Sequence, residues 1–249
     1  MFMQKTIIER FNKCFSLAKF IMLSIVIPVY NEEVIIKQTV SNMLKELYKN
    51  KIKFEMIIVN NGSYDNTEKV LNSIKDKNIK IIKLKKNQTF GGGVIEGLST
   101  TKGSFVGITC ADEQVDPGVI IRLYKIAAKK NLDFCKGDRR LKYKKWFRRF
   151  ASMAYKVLVK VLFMLDARDI NGYPIIMKRN VYKSINPQSR NWIINVEMLY
   201  KAKKNKYKVT EIPIGYGERK GGKSHVNFQV IWSMFVDILK YRLKTLTNG

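Results

Sequence analysis

The chain has 249 residues, 46% of them hydrophobic, which is enough to bury a sizeable core in one large domain. Lys and Arg number 47 against 20 Asp and Glu, and the resulting net charge of +27 predicts attraction to anionic ligands, anionic membranes or nucleic acid. Three cysteines without metal-ligand spacing argue against a disulfide framework, and no apolar stretch reaches the length of a membrane span. Charged residues near the N-terminus argue against a signal peptide, so we expect a cytoplasmic protein.

The first part of the chain predicts one amphipathic helix and then an alternation of strands and helices. Apolar residues recur at helical spacing over residues 1–22, which predicts a helix that packs on its own domain or lies on a membrane surface. Strands are predicted at 23–29, 54–59, 79–84 and 104–109, each followed by a helix. This alternation indicates a Rossmann-like α/β fold, in which a mostly parallel sheet has helices on both faces.

The second part of the chain predicts shorter strands and a terminal helix. Short strands at 133–136 and 175–177 precede a strand at 209–214 whose alternating pattern is typical of a sheet edge. Apolar residues at helical spacing then predict a C-terminal amphipathic helix at 226–249. We therefore expect three parts, namely the N-terminal helix, a central domain at 23–225 and the C-terminal helix.

An acidic loop lies near the middle of the chain, directly after the strand that ends at Thr109. Asp112 and Gln114 follow this apolar strand, and Asp116-Pro117 indicates the start of the next helix. The two side chains are therefore expected at the carboxyl end of a strand, where open α/β sheets bind ligands. Two oxygen donors at this spacing can share one Mg²⁺ or Mn²⁺ ion, which can bridge a diphosphate. The alternative is an ordinary acidic loop.

The segment 137–160 is strongly basic. Within it, Arg148, Arg149 and Ser152 fall in about one helical turn, so they can present hydrogen-bond donors together to a phosphate. A solvated basic helix is the alternative, and composition does not decide between the two. Further along, His225 has no partner at metal-ligand spacing, and we interpret it as part of a loop.

A series of short motifs follows along the chain. These are Ile27–Glu32, Asn60–Thr67, the glycine-rich Asn87–Gly97, Cys110–Gln114, Gly137–Arg139, Trp146–Ser152 and Arg219–Ser224. In this order they resemble the motifs of family 2 glycosyltransferases of the GT-A fold, especially the branch of dolichyl- and polyprenyl-phosphate sugar synthases. The resemblance extends from about Leu23 to about Tyr241, which is most of the chain.

The resemblance implies an inverting transfer of a sugar from a UDP- or GDP-linked donor to a polyprenyl phosphate or a related membrane-associated acceptor. It implies that Asp112 and Gln114 hold Mg²⁺ or Mn²⁺. The catalytic residues that it implies, including cations for the acceptor phosphate, are Asp112, Arg139, Arg148, Arg149, Ser152 and Arg219. The donor-binding residues that it implies are Pro28, Tyr30, Glu32, Asn61, Ser63, Asp65, Gly91, Gly92, Ala111, Asp112 and Lys223.

Two of these motifs depart from the family pattern. Asn60 and Asn61 replace carboxylates, and Asn61 can still hydrogen-bond a base edge as donor and acceptor, so the identity of the base stays open. Cys110 replaces the first Asp of the acidic motif, and the loss of this negative charge is expected to weaken metal binding. A catalytically weak or scaffold member of the family is therefore an alternative.

The acceptor separates two versions of the reaction. A lipid phosphate is already an anion and requires cations, whereas a saccharide hydroxyl, as in surface-polysaccharide assembly, requires a carboxylate base. Asp169 and Glu197 are the candidate bases, and the surplus of cations favours the lipid phosphate. We therefore expect a protein peripheral on the cytoplasmic face of an anionic membrane. A nucleic-acid binder also fits the charge, but without a recognised DNA- or RNA-binding motif we expect no nucleic-acid partner.

Overall fold

The computed structural model describes residues 22–139, 146–218 and 228–247, with the backbone alone for 146–149 and 228. Its strands are β1 (Leu23–Val29), β2 (Phe54–Asn60), β3 (Ile79–Lys83), β4 (Phe105–Ile108), β5 (Phe134–Arg139), β6 (Ile175–Lys178) and β7 (Val209–Ile214). Its helices are α1 (Ile36–Lys49), α2 (Thr67–Asn72), α3 (Thr89–Ser99), α4 (Gly118–Lys129), α5 (Trp146–Phe163), α6 (Arg179–Ile185), α7 (Ile194–Lys204) and α8 (Phe228–Thr247).

The described strands form one sheet in the order β3-β2-β1-β4-β6-β5-β7. β1 pairs in parallel with β2 and β4, so that Ile25 lies opposite Met56 on one side and Gly107 on the other. β6 runs antiparallel to its neighbours β4 and β5, while β7 pairs in parallel with β5 and lies at the sheet edge. The expected mostly parallel sheet is confirmed, and the alternating strand lies at an edge.

Helices cover both faces of the sheet, which explains why the central strands are apolar throughout. In β1, Leu23, Ile25 and Ile27 pack into the layer that contains α1, α2 and α4. Val26 points to the opposite layer, which α3, α5, α6, α7 and α8 cover. Because successive side chains of a strand alternate between faces, a strand covered on both sides requires apolar residues at nearly every position.

The two predicted terminal helices have different outcomes. The N-terminal helix at 1–22 falls almost entirely outside the described residues. Within the predicted C-terminal helix, α8 occupies Phe228–Thr247, and its Ile238 is buried in the same core as β1. None of the described helices is both long and apolar enough to cross a membrane.

Candidate functional site

The loops that leave β1, β2 and β4 meet at one edge of the sheet. These strands are parallel neighbours, so their carboxyl ends lie side by side, at the edge where open α/β sheets bind ligands. The strand ends and loops carry these predicted donor-binding or metal-binding residues: Pro28, Tyr30, Glu32, Asn61, Ser63, Asp65, Ala111, Asp112 and Gln114. The topology therefore gathers residues that are far apart in the sequence.

Reciprocal hydrogen bonds join the loop after β1 to the loop after β2. The backbone N–H of Asn31 donates to Ser63 Oγ (3.0 Å), and the backbone N–H of Tyr64 donates to Asn31 Oδ1 (3.0 Å). Asn31 has a φ of 53°, in the left-handed region that asparagine adopts more readily than most residues. Beside this pair the rings of Tyr30 and Tyr64 meet edge to face, with centroids 6.1 Å apart. The two loops therefore form one ordered rim.

Asp65 extends this rim to the start of α2. Its Oδ1 accepts from the backbone N–H of Thr67 (3.0 Å), and its Oδ2 accepts from the backbone N–H of Glu33 (3.3 Å). The backbone N–H of Glu32 donates to Thr67 Oγ1 (2.9 Å). Asp65 and Ser63, both predicted to bind the donor, thus also fix the shape of the loops.

Asn61 is 3% exposed and holds the segment that leads into α3. Its Nδ2 donates to the carbonyl oxygen of Thr89 (2.8 Å) and to Asn87 Oδ1 (3.3 Å), and its Oδ1 accepts from the backbone N–H of Gln88 (3.0 Å). Both amide hydrogens are therefore engaged within the protein. A nucleotide base could therefore only donate a hydrogen bond to Asn61 Oδ1, whereas the sequence predicted that Asn61 would act as both donor and acceptor.

Gly91 and Gly92 lie in the first turns of α3, against the backbone of Arg190. A Cβ at position 91 would fall 2.5 Å from the Arg190 carbonyl oxygen, so any larger residue would collide with backbone. The backbone N–H of Gly92 donates to that carbonyl oxygen at 2.5 Å. The glycines therefore allow α3 to contact another part of its own chain, and their predicted donor-binding role would be additional.

The acidic loop after β4 turns its three polar side chains in different directions. Glu113 points back to α1, where its Oε1 accepts from Asn42 Nδ2 (2.7 Å), and its φ of 51° places it in the left-handed region. The carbonyl oxygen of Ala111 accepts from Thr39 Oγ1 (3.0 Å). With these anchors Asp112 stays half-buried at the sheet edge, its Oδ1 accepting from the backbone N–H of Gln114 (3.3 Å).

The oxygen donors of this loop fit a divalent cation that is shared with a substrate. Asp112 supplies a carboxylate and Gln114 an amide oxygen, and Mg²⁺ is commonly held by one or two such ligands together with phosphate oxygens and water. In the described part of the chain, no three His, Cys, Asp or Glu side chains come together as a metal site. Within the described residues, a cation at Asp112 and Gln114 would need further oxygen ligands from a bound substrate or from water.

Tyr216, just beyond β7, fixes the side chain of Gln114. Its hydroxyl donates to Gln114 Oε1 (2.7 Å), and the backbone N–H of Gly217 donates to the backbone oxygen of Gln114 (2.8 Å). Burial raises the pKa of Tyr216 to about 12, although the nearby Arg139 opposes this shift. The phenol thus remains a donor at neutral pH. Tyr216 was not predicted as a site residue, and its one signal in the sequence is its position shortly after the predicted strand at 209–214.

Arg139 and Asp169 form a bidentate ion pair behind Tyr216. Arg139 Nε lies 2.7 Å from Asp169 Oδ2, and Arg139 Nη2 lies 3.0 Å from Asp169 Oδ1. The Arg139 guanidinium also lies 5.1 Å from the centroid of the Tyr216 ring. Burial favours the neutral acid, but the hydrogen bonds and charge of Arg139 and the charge of Lys136 lower the pKa of Asp169 overall. Arg139, predicted to bind the acceptor phosphate, therefore already has a carboxylate partner.

Glu197, the second candidate base, is 1% exposed and caps a loop. Its carboxylate accepts from the backbone N–H of Ser189 (2.7 Å) and of Gln188 (3.0 Å), and lies 2.6 Å from Lys201 Nζ. Burial would raise the pKa of Glu197, but the hydrogen bonds from Lys201 and the backbone lower it overall. Because both candidates already hold protein partners, the geometry does not favour either as a base.

Cys110 and a group of aromatic rings share one hydrophobic core. Phe90 stacks on Trp192 with centroids 4.5 Å apart and an interplanar angle of 1°. Phe90 also meets Tyr173 edge to face at 5.3 Å. Cys110 is half-buried and packs against the same hydrophobic core as Phe90 and Tyr173. The residue that replaces the first Asp of the motif therefore packs partly against the core.

The structure describes only some of the remaining residues that were predicted to bind the acceptor phosphate or the donor. Arg148 and Arg149 lie in the first turn of α5, where the backbone alone is described, and Ser152 is exposed on the same helix. Arg219 and Lys223 lie outside the described residues, just beyond the segment that carries Tyr216. Their roles in binding the acceptor phosphate and the donor therefore stay predictions.

Curated proteins with related sequences include two lipid-phosphate sugar transferases. The chain is 25% identical over 249 residues to a dolichyl-phosphate beta-glucosyltransferase of Dictyostelium discoideum, and the match covers 91% of this chain and 75% of that protein. It is 27% identical over 223 residues to the undecaprenyl-phosphate 4-deoxy-4-formamido-L-arabinose transferase of Proteus mirabilis, covering 87% of this chain and 66% of that protein.

Solved structures support the fold. Glucosyl-3-phosphoglycerate synthase of Mycobacterium tuberculosis, solved with Mn²⁺, UDP and phosphoglyceric acid, superposes with a TM-score of 0.73. The two sequences are 14% identical, and the match covers 93% of this chain and 82% of that one. In sequence, the profile described as glycosyl transferase family 2 matches residues 24–223. The resemblance seen in the motifs is thus confirmed, and the chain belongs to glycosyl transferase family 2.

Proposed function

We propose that the chain transfers a sugar from a UDP- or GDP-linked donor to a polyprenyl phosphate, with inversion at the anomeric carbon. The observation that carries the choice of acceptor is the state of the two candidate bases, since Asp169 pairs with Arg139 and Glu197 holds Lys201. An ionised phosphate can attack without a base, whereas a saccharide hydroxyl requires one within hydrogen-bond reach. The two lipid-phosphate transferases among the relatives support the same choice.

The donor would bind at the edge formed by the ends of β1, β2 and β4. Asp112 and Gln114 would hold Mg²⁺ or Mn²⁺ together with the diphosphate, and Tyr216 would keep the Gln114 oxygen in place. The cation supplies Lewis-acid neutralisation of the departing diphosphate. The rim of Tyr30 and Tyr64 would border the nucleotide, which agrees with the predicted role of the loops after β1 and β2.

The acceptor would approach from the side of α5. Arg148, Arg149, Ser152 and Arg219 are proposed to hold its phosphate through charge-assisted hydrogen bonds. Arg139 differs from these residues, because its guanidinium already pairs with Asp169. Its proposed role is to hold the ring of Tyr216 in position. With a lipid acceptor the protein would work as a peripheral protein at the cytoplasmic face of a membrane.

A panel assay tests this proposal. The full chain is incubated with Mn²⁺, a series of UDP- and GDP-sugars, and either undecaprenyl phosphate or a set of saccharides, and labelled products are separated. We expect transfer to the polyprenyl phosphate from one donor class. Transfer to a saccharide alone would replace the acceptor, and donor binding without any transfer would favour the scaffold alternative suggested by Cys110.

A further inference from the structure

Helices α5 and α8 lie side by side on one layer of the fold, with their inner faces in the core. Tyr155 of α5 meets Phe235 of α8 edge to face, with centroids 5.7 Å apart. Further along both helices Phe163 meets Tyr241, again at 5.7 Å, so the helices run in the same direction over these contacts. Tyr155, Phe163 and Ile238 are buried on this inner side.

The outer face of α5 carries a stripe of exposed apolar side chains. Phe150 is 64% exposed, Met153 58%, Val157 56% and Val161 71%. Steps of three and four residues place them on one side of the helix, away from the buried Tyr155. A stripe with this spacing commonly marks a core face, but here it points to solvent.

Helix α8 carries a second stripe of the same kind. Trp232 is 64% exposed, Leu239 48%, Leu243 64% and Leu246 61%. Steps of seven, four and three residues place them on one side of α8, while Ile238 faces the core. Because the helices pack side by side and both stripes face solvent, we treat the two stripes as parts of one surface, and apolar surface of this kind marks an interaction site.

The charges around the stripes are positive. Exposed lysines flank both stripes, at Lys156, Lys160, Lys240 and Lys244. Helix α5 contains no acidic residue, and the single one in α8, Asp237, accepts from Asn191 Nδ2 (2.6 Å). Lys160 lies 3.1 Å from the exposed Asp166, but a solvent-exposed pair of this kind leaves the lysine available to other anions.

We infer that these two stripes and their four flanking lysines, here called the α5–α8 surface, dock onto an anionic lipid bilayer. Helices with Leu, Trp and Phe on one side and Lys beside them insert their apolar side into the headgroup region of membranes. The lysines match the negative surface charge of anionic lipids.

The docking surface would also place the proposed acceptor site at the lipid headgroups. The stripe on α5 begins at Phe150, directly after Arg149 and two residues before Ser152, both proposed contacts of the acceptor phosphate. A docked α5 would present this first turn to a lipid phosphate at the membrane surface. This step rests on the proposed function, whereas the docking itself does not.

Vesicle flotation of the full chain tests the inference. Two double variants, Val157→Ser with Val161→Ser and Leu239→Ser with Leu243→Ser, remove part of one stripe each. Val34→Ser is the matched control, because Val34 is 75% exposed and Val161 71%, but Val34 lies in the loop before α1. We expect each double variant to reduce partitioning into phosphatidylglycerol vesicles at least about tenfold, while the control stays within about twofold of wild type.

The charge contribution is tested separately with Lys240→Gln and Lys244→Gln combined. This variant should lose roughly tenfold or more of its partitioning into phosphatidylglycerol vesicles and show little change with phosphatidylcholine vesicles. Wild-type partitioning in both the stripe and the lysine variants would overturn the inference. It would also be overturned if the stripe variants turned a dimer into a monomer in light scattering while vesicle binding stayed unchanged.

A soluble acceptor separates this inference from the proposed function. With a short-chain, water-soluble polyprenyl phosphate and no vesicles, the stripe variants should transfer sugar at the wild-type rate. If wild type itself transfers nothing to this acceptor, the proposed function fails, and the vesicle data still decide the docking inference.

Discussion

Replacing Asp169 by Asn separates a structural carboxylate from a catalytic one. The side chain of Asp169 is 9% exposed and that of its partner Arg139 is 16% exposed, so the pair is largely shielded from water. The amide keeps an acceptor oxygen for the guanidinium but removes the negative charge. Removing one partner of a buried ion pair costs about 3–5 kcal/mol, and the remaining hydrogen bond places our expectation near the lower value, about 3 kcal/mol.

The assay is urea unfolding at neutral pH, followed by circular dichroism. The matched control is Asp166→Asn, because Asp166 also pairs with a cation, Lys160, but its side chain is 86% exposed. An exposed pair contributes about 0–1 kcal/mol, so the control should unfold nearly as wild type does.

Transfer activity of the folded Asp169→Asn variant completes the test. We expect it to stay within about tenfold of wild type, whereas the loss of a general base would lower transfer by roughly 10²–10⁴-fold. Unchanged unfolding together with a collapse of transfer would refute our assignment of Asp169 to the ion pair and restore it as the base for a hydroxyl acceptor.

Further predictions concern the metal site, the packing of α3 and the response to acid. Tyr216→Phe should lower the affinity for Mn²⁺ in the presence of UDP by about tenfold, because Gln114 Oε1 loses the hydrogen bond from the phenol. The affinity is measured from the electron paramagnetic resonance signal of free Mn²⁺, and equal affinity in variant and wild type would exclude this role of Tyr216. Cys110→Asp should tighten Mn²⁺ binding in the same assay, and no change would mean that the position does not sense the cation. Gly97→Ala should destabilise the fold by about 1–3 kcal/mol in urea, because its Cβ would lie 2.3 Å from Val26 Cγ1, and wild-type stability would contradict this packing. The folded-state pKa of Asp169 lies below that of the unfolded chain, so its contribution to stability is complete above about pH 4 and is lost as the pH falls through the folded pKa. In a plot of the urea unfolding midpoint against pH, Asp169→Asn should therefore show a smaller decrease at acidic pH than wild type. An equal decrease in both proteins would contradict this role of Asp169.

Much of the fold follows from local patterns in the sequence. Apolar runs and helical spacing locate the strands and helices, because each element lies between a sheet and a covering layer. Asp112 and Gln114 were predicted as metal ligands on similar grounds, since they follow shortly after a strand and carry oxygen donors suited to a hard cation. The antiparallel direction of β6 could not be read from a four-residue strand, because direction depends on its pairing with β4 and β5.

The parts that sequence reasoning missed depend on contacts between distant residues. Tyr216 and Gln114 are 102 positions apart, and only the placement of β7 beside β5 brings them together. Asn61 was interpreted through its likeness to a base-binding turn, yet its amide hydrogens bind Asn87 and Thr89. Such partners depend on how loops pack at the sheet edge, and no spacing rule in the chain indicates them.

The most direct test of the central claim is the binding of UDP and GDP by calorimetry, with and without Mn²⁺, in wild type and in Asp112→Ala. The proposed metal-dependent nucleotide-sugar site lies at the end of β4, with Asp112 as its charged ligand. We expect Mn²⁺ to tighten nucleotide binding in wild type and to have no such effect in the variant, while the metal-free affinity stays similar. The same gain in affinity with Mn²⁺ in both proteins would contradict this site.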